Sequence, residues 1–289
     1  MSLFSGLDKL GLGKLEKMDV YEEEAKKTEE KEAAVKAGAT AKPAAPKIKE
    51  EDVLFDKKNT CPVCDSEFLS KVLRTGRTKM AGQDTDLRPR YQPVDSLKYD
   101  AIVCPKCGYA ALSRFFKYAT PAQAQLIREN ISKNFNGLQD SGAIYTYDDA
   151  IMRHQLALAN AVVKKASASE RAYTCLKLAW LCRGKAETLT PDTENYKQQI
   201  DELNKEEAEL LANAYDGFST AFMHESFPMC GMDELTVTYL MADLARRVGK
   251  YDESSRWVSR VLTSKEANER VKEKARTVKE LLNEEKEGK

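Results

Sequence analysis

Two cysteine pairs constrain this chain more than any other feature: Cys61-Pro62-Val63-Cys64 and Cys104-Pro105-Lys106-Cys107-Gly108. A Cys-x-x-Cys turn aims two thiolates at one ion, and two such turns complete a tetrahedral four-thiolate shell. The proline at the second position of each pair fixes φ within the turn. Gly108 suits a left-handed residue that points backbone N–H groups at sulfur. Asp65 holds the matching place after the first pair and tolerates that region better than most residues. β-favouring pieces, 67–73 and 99–103, lie beside the two pairs. The pattern predicts a zinc ribbon in which Cys61, Cys64, Cys104 and Cys107 hold one Zn2+. Four thiolates leave no open position for water, so the expected role of the metal is structural. The rival chemistry is dithiol redox, which needs an exposed thiolate of low pKa, usually at a helix N-terminus in a βαβ unit. No such unit stands out in this sequence.

Thirty-nine residues separate Cys64 from Cys104. An ordinary ribbon has about 15–20 there, so this one carries an insertion. Its most distinctive part runs from Asp84 through Asp86, Arg88 and Arg90 to Tyr91. Paired acids and arginines beside a rigid metal turn suit a recognition loop. They equally suit a salt-bridged loop packed on its own ribbon.

On either side of this segment the composition changes. Residues 1–50 read as a flexible charged tail and linker. Leu3, Phe4, Leu7, Leu10, Leu15 and Met18 are spaced like one helix face, but Gly6, Gly11 and Gly13 weaken that helix. The first twenty residues suit either a mobile terminus or a short docking peptide for a partner or a membrane surface. A Glu- and Lys-rich run and an Ala/Pro-rich stretch lead to residue 50.

Residues 51–118 read as the ribbon domain, and 119–289 as a helical domain. Thr120-Pro121 is a helix start, and further helices are expected from about Tyr147, Ser169, Thr190-Pro191, Asp233, Asp252 and Glu266. Helices of one to two dozen residues with short links pack as antiparallel pairs. The segment Gly249-Lys250-Tyr251-Asp252-Glu253-Ser254 is like the middle of a tetratricopeptide repeat, and the stretches from Tyr147 and Tyr173 are like parts of others. An irregular helical bundle is the alternative. The expected fold is therefore mainly α, a small four-cysteine β module followed by a tetratricopeptide-like array. In its last repeat Tyr239, Asp243 and Arg246 would face a groove for a protein segment, unless they are ordinary helix surface.

Charge narrows the partners. The chain carries 46 Lys+Arg against 46 Asp+Glu. Over residues 51–110 ten basic side chains meet nine acidic ones, and four thiolates with one Zn2+ bring the sum near −1. That is a poor electrostatic match for phosphate, so nucleic acid is not the favoured partner. Local patches such as Arg74, Arg77 and Lys79 keep it open. No apolar run reaches the roughly 18 residues of a membrane span. Seven cysteines without an export signal predict a reducing cytoplasm. Cys175, Cys182 and Cys230 lack paired spacing, and Cys175 and Cys182, seven apart on one helix face, suit core positions. His154 and His224 suit structural or exposed roles. No phosphate loop, nucleophile elbow or HExxH is present, so no enzymatic activity is expected.

The stretch Lys57-Lys58-Asn59-Thr60-Cys61-Pro62-Val63-Cys64, then Asp84-Thr85-Asp86, then Tyr99 through Cys104-Pro105-Lys106-Cys107-Gly108-Tyr109-Ala110-Ala111, resembles the bacterial domain-of-unknown-function family 2225 over roughly residues 51–265. The resemblance implies a cytoplasmic bacterial protein with a zinc-ribbon-like N-terminal part and a tetratricopeptide-like C-terminal part. It implies no activity. The expected function is a zinc-stabilised, non-enzymatic adaptor that binds protein partners through its helices. The alternatives are a nucleic-acid-associated ribbon factor and a thiol redox protein. Oligomeric state is left open.

Overall fold

The computed structural model describes residues 3, 4, 6–21, 49–138 and 142–288. Strands β1 (Leu54–Thr60) and β2 (Glu67–Leu73) form an antiparallel hairpin that closes at Thr60 and Glu67. Strands β3 (Lys79–Gln83) and β4 (Pro89–Gln92) form a second hairpin inside the insertion, with a register shift between Met80 and Gly82. Strands β5 (Ala101–Val103) and β6 (Ala110–Leu112) form a third, which closes at Val103 and Ala110. Each cysteine pair thus sits in the turn of its own hairpin, as a ribbon requires.

Helix α1 (Pro121–Ile127) starts at a Thr120 capping box with Gln123 and runs into a π-helical turn, Arg128–Ser132. Then follow α2 (Tyr147–Val163), α3 (Ala168–Thr188), α4 (Tyr196–His224), α5 (Glu234–Arg247), α6 (Tyr251–Thr263) and α7 (Glu269–Glu287). Thr146, Ser167, Asp233 and Asn268 cap α2, α3, α5 and α7 with side-chain oxygens. The Thr190-Pro191 start for α4 is corrected: Thr193 folds back on Thr190 in a closed turn, and the helix begins after Asn195, which is left-handed at φ 54°. The threonine hydroxyl offers the backbone a local partner, and that competes with helix formation.

Cross-helix pairs fix the directions. Lys164 at the end of α2 meets Glu170 at the start of α3, and Lys185 near the end of α3 meets Asp148 at the start of α2. Ser169 and Glu225 join the far ends of α3 and α4. Glu234 and Arg260 do the same for α5 and α6, and Asp252 and Lys286 for α6 and α7. Each of these pairs is antiparallel. Between α5 and α6, Gly249 takes φ 75°, and the buried Ser254 donates to the Ala242 carbonyl at 2.8 Å.

The main core does not respect the expected division at residue 118. Cys61, Cys104, Ala110 and Phe116 of the ribbon share one buried cluster with Leu156, Trp180, Phe218 and Leu240 of the helices. Nor are residues 3–21 a loose tail. Leu3, Phe4, Leu7, Leu10, Leu12, Leu15 and Val20 are buried in that same cluster. The glycines do weaken a helix, as expected, but the outcome is two 3-10 turns, Leu7–Leu10 and Gly13–Lys17, not loose chain. Left-handed Gly6 and Gly11 redirect the backbone so that the apolar side chains still converge on the core. Residues 22–48 of the expected tail lie outside the described residues.

Candidate metal centre

The two cysteine turns are built alike. In the first, Cys61 N–H donates to Ser66 O and Asp65 N–H donates to Cys61 O. In the second, Cys104 N–H donates to Tyr109 O and Gly108 N–H donates to Cys104 O. Asp65 and Gly108 take the left-handed conformation expected of them, at φ 57° and 72°. At 108 only glycine fits on two counts, because a Cβ there would also lie 2.6 Å from the Phe135 ring.

All four Sγ atoms lie within 4.8 Å of one another, and Cys61, Cys104 and Cys107 are buried. Cys61 Sγ is 3.6 Å from Cys107 Sγ, and Cys64 Sγ is 3.7 Å from Cys104 Sγ. A tetrahedral shell with metal–sulfur bonds near 2.3 Å has sulfur–sulfur edges of about 3.8 Å, so the donor set fits a four-thiolate ion. As free thiols the group polarises strongly. Hydrogen bonds from Cys107 and Cys61 pull Cys104 down, whereas Cys104 raises Cys107 and, against an opposing contact from Cys107, raises Cys61 as well. A divalent cation held by Cys61, Cys64, Cys104 and Cys107 would remove that proton competition by taking all four sulfurs as thiolates.

The helices hold both turns. Arg128, in the π-helical turn, donates to the Val63 carbonyl at 2.6 Å. Asn160 of α2 donates to the Gly108 carbonyl at 3.0 Å. Neither residue stood out in the sequence, since each makes its contact 50 or more positions away.

The insertion loop faces inward. Asp86 is fully buried; it accepts from Trp180 Nε1 at 3.0 Å and from Arg183 Nη2 at 2.6 Å, both on α3. Burial alone would raise its pKa, but Arg247 and Arg183 override that and hold it at about 2. Arg88 pairs with Glu187 through both guanidinium Nη atoms, at 3.0 and 3.1 Å. Arg90 bridges Asp84 and Glu187. Tyr91, half-buried, pairs with Met80 across the hairpin. The recognition-loop expectation is therefore corrected to a loop that is ion-paired within itself and docked on the helical array.

Two of the three expected groove residues, Tyr239 and Asp243, are among those partners. Tyr239 Oη donates to the Thr85 carbonyl at 2.6 Å, and Asp243 accepts from the Thr85 hydroxyl at 2.8 Å. Arg246 is held by Asp243 and Glu285. All three are buried. They do share one helix face, as their spacing predicts, but the chain's own insertion meets Tyr239 and Asp243, and Glu285 of α7 meets Arg246. Trp180, Arg183, Glu187 and Arg247 complete the network and were missed, because nothing local to them announces a partner 94 to 162 positions away. Cys175 and Cys182 lie fully buried in the core, and Cys230 is half-buried.

This is a four-cysteine ribbon, its sulfurs placed so that they could hold a metal ion, fused through a shared core to an antiparallel helical array. A family model described as an uncharacterized protein conserved in bacteria, DUF2225, matches residues 54–282, and the chain belongs to that family. No curated protein and no solved structure matches it. No helix among the described residues is long and apolar enough to cross a membrane.

Proposed function

We propose that the protein is a zinc-stabilised, non-enzymatic interaction protein of the bacterial cytoplasm. The observation that carries this reading is the closed donor set. Four thiolates at tetrahedral spacing would fill the coordination shell of one Zn2+, which leaves a structural role for the ion. Bound there, it would supply folding free energy and hold the two hairpins together. Arg128 and Asn160 would transmit that order to the helices. The antiparallel pairs, with a left-handed glycine and a small residue at the α5–α6 contact, are the kind of unit that tetratricopeptide-like arrays stack into binding surfaces.

Ion pairing also weighs against phosphate as the ligand. Of the five cations a nucleic-acid reading would use, Arg88 and Arg90 are bound to Glu187. Arg74, Arg77 and Lys79 remain.

The test is co-purification from bacterial lysate with metal analysis of the same sample. Full-length protein is compared with a Cys104→Ser/Cys107→Ser variant at low and moderate salt. One zinc per chain and a salt-resistant protein partner that the variant loses support the reading. Nucleic acid that washes off with salt, with no protein bound, defeats it.

A further inference from the structure

We propose that residues 3–21 are a docking peptide bound in cis, and that the groove beneath them is a binding site for short apolar segments of a partner protein with the same anchor spacing. The proposal rests on the interaction reading above and gives it a site.

The segment is held as a peptide in a groove is held. Its backbone hydrogen bonds are mostly its own, within the two 3-10 turns. Its polar ties to the body include Asn136 N–H to the Leu10 carbonyl at 3.0 Å and Arg171 Nη1 to the Val20 carbonyl at 2.5 Å. The rest is side chains in pockets. Phe4 and Leu7 are fully buried, while Asp8, Lys9 and Lys14 face solvent. That division, apolar anchors inward and charges outward, is the pattern of amphipathic-segment recognition.

The floor of the groove is shaped for this occupant. Gly217 lies inside α4, where glycine weakens a helix, and a Cβ at that position would collide with the Tyr21 hydroxyl. Arg171 of α3 lies 4.7 Å from the centre of the Tyr21 ring. The fit is also incomplete. Tyr21 Oη is buried without a hydrogen-bond partner among the described residues. Beside the segment lies a cavity of about 780 Å³, lined by Leu10 on one side and by Met152, Gln155, Leu203 and Glu206 of α2 and α4 on the other. Among the described residues, the groove thus keeps space beside the segment.

Two further observations mark the segment as separable. The family match begins at residue 54, so the shared fold is defined without it. Twenty-seven residues, 22–48, join it to the body. They can span at most about 90 Å, enough for the segment to leave the groove without loss of the tether. A tethered occupant has an effective concentration on the order of millimolar, so it masks the groove against untethered competitors of equal intrinsic affinity.

The test uses full-length protein and a fluorescent peptide of residues 1–21 as the probe. In a Phe4→Asp/Leu7→Asp variant the resident segment is weakened while the groove is intact. This variant should keep its helical circular dichroism and metal content and bind the peptide at least about 100-fold more tightly than wild type does. Adding Gly217→Leu should abolish that binding. A folded variant that does not bind the peptide overturns the proposal. If Phe4→Asp/Leu7→Asp fails to fold, a protease site placed within residues 22–48 of the wild type decides the matter. After cleavage the fragment should dissociate reversibly from a body that stays helical, whereas a body that melts on its release makes the segment an integral part of the core. Either failure removes the groove and leaves the metal content and partner capture of the interaction reading to stand or fall on their own assay.

Discussion

Trp180 donates its indole N–H to Asp86, a contact between α3 and the tip of the ribbon's insertion across 94 positions of sequence. Arg183, one turn further along the same helix, approaches the same carboxylate at 2.6 Å. The network around this carboxylate is what docks the insertion on the array. Truncating a buried charge leaves its partners uncompensated, which costs about 3–5 kcal/mol. Asp86→Ala is expected to lose that much in a denaturant titration. Trp180→Phe, which gives up one hydrogen bond to a charged group, should lose about 2 kcal/mol. Equal losses would mean that Asp86 is held by its packing and not by the arginines.

Metal removal should weaken the whole protein and not the ribbon alone, because the ribbon shares the main core with the helices. Full-length protein is expected to carry one zinc per chain. A chelator, or Cys104→Ser, should lower the melting temperature by on the order of 10 °C. Calorimetry should still show one transition. A separate early transition followed by an unchanged late one would mean that the ribbon melts on its own.

The left-handed positions separate two otherwise similar turns. Gly108→Ala meets both an unfavourable φ and the Phe135 ring, and should cost more than the roughly 1–2 kcal/mol of the backbone alone. Asp65→Gly relieves the same backbone preference at φ 57° and should be neutral or stabilising by up to about 1 kcal/mol. Thermal melts of the two variants at saturating zinc check both signs.

Two buried groups give distinct acid windows. Burial lowers His154 to about 4 and keeps it neutral in the fold. The unfolded chain takes up that proton below about 6.5. Its contribution is therefore complete above pH 6.5 and is lost as pH falls toward 4, about 3 kcal/mol in all. Asp86, held at about 2, contributes fully above its unfolded value near 3.9, and that contribution is lost as pH falls from there toward 2. His154→Leu should flatten the upper window relative to wild type and leave the lower one. Asp86→Asn should do the reverse. Stability is measured against pH in the metal-free protein, and a change in the same window for both variants would refute the assignment.

Short-range chemistry was legible in the sequence. The four cysteines, the left-handed Asp65 and Gly108, and the caps Thr120 and Asp233 are each specified within five residues of where they act. Long-range complementarity was not. Asp86, Arg88 and Arg90 were visible as chemistry, and Tyr239, Asp243 and Arg246 as one helix face, but no local pattern says that the two sets meet. The first twenty residues misled for a different reason. Gly6 and Gly11 do weaken a helix, and a helix-based reading has no template for apolar residues that converge through 3-10 turns.

The spacing of the cysteine turns has a last consequence, on the unfolded chain. An ion shared between residues 61–64 and 104–107 closes a loop of about forty residues around the insertion. Treated as a cross-link, closure of that length removes about 4 kcal/mol of conformational entropy from the disordered state. The long insertion, which looks like a burden on a small ribbon, is what makes one cation an effective staple: the more chain it encircles before folding, the less freedom is left for folding to remove.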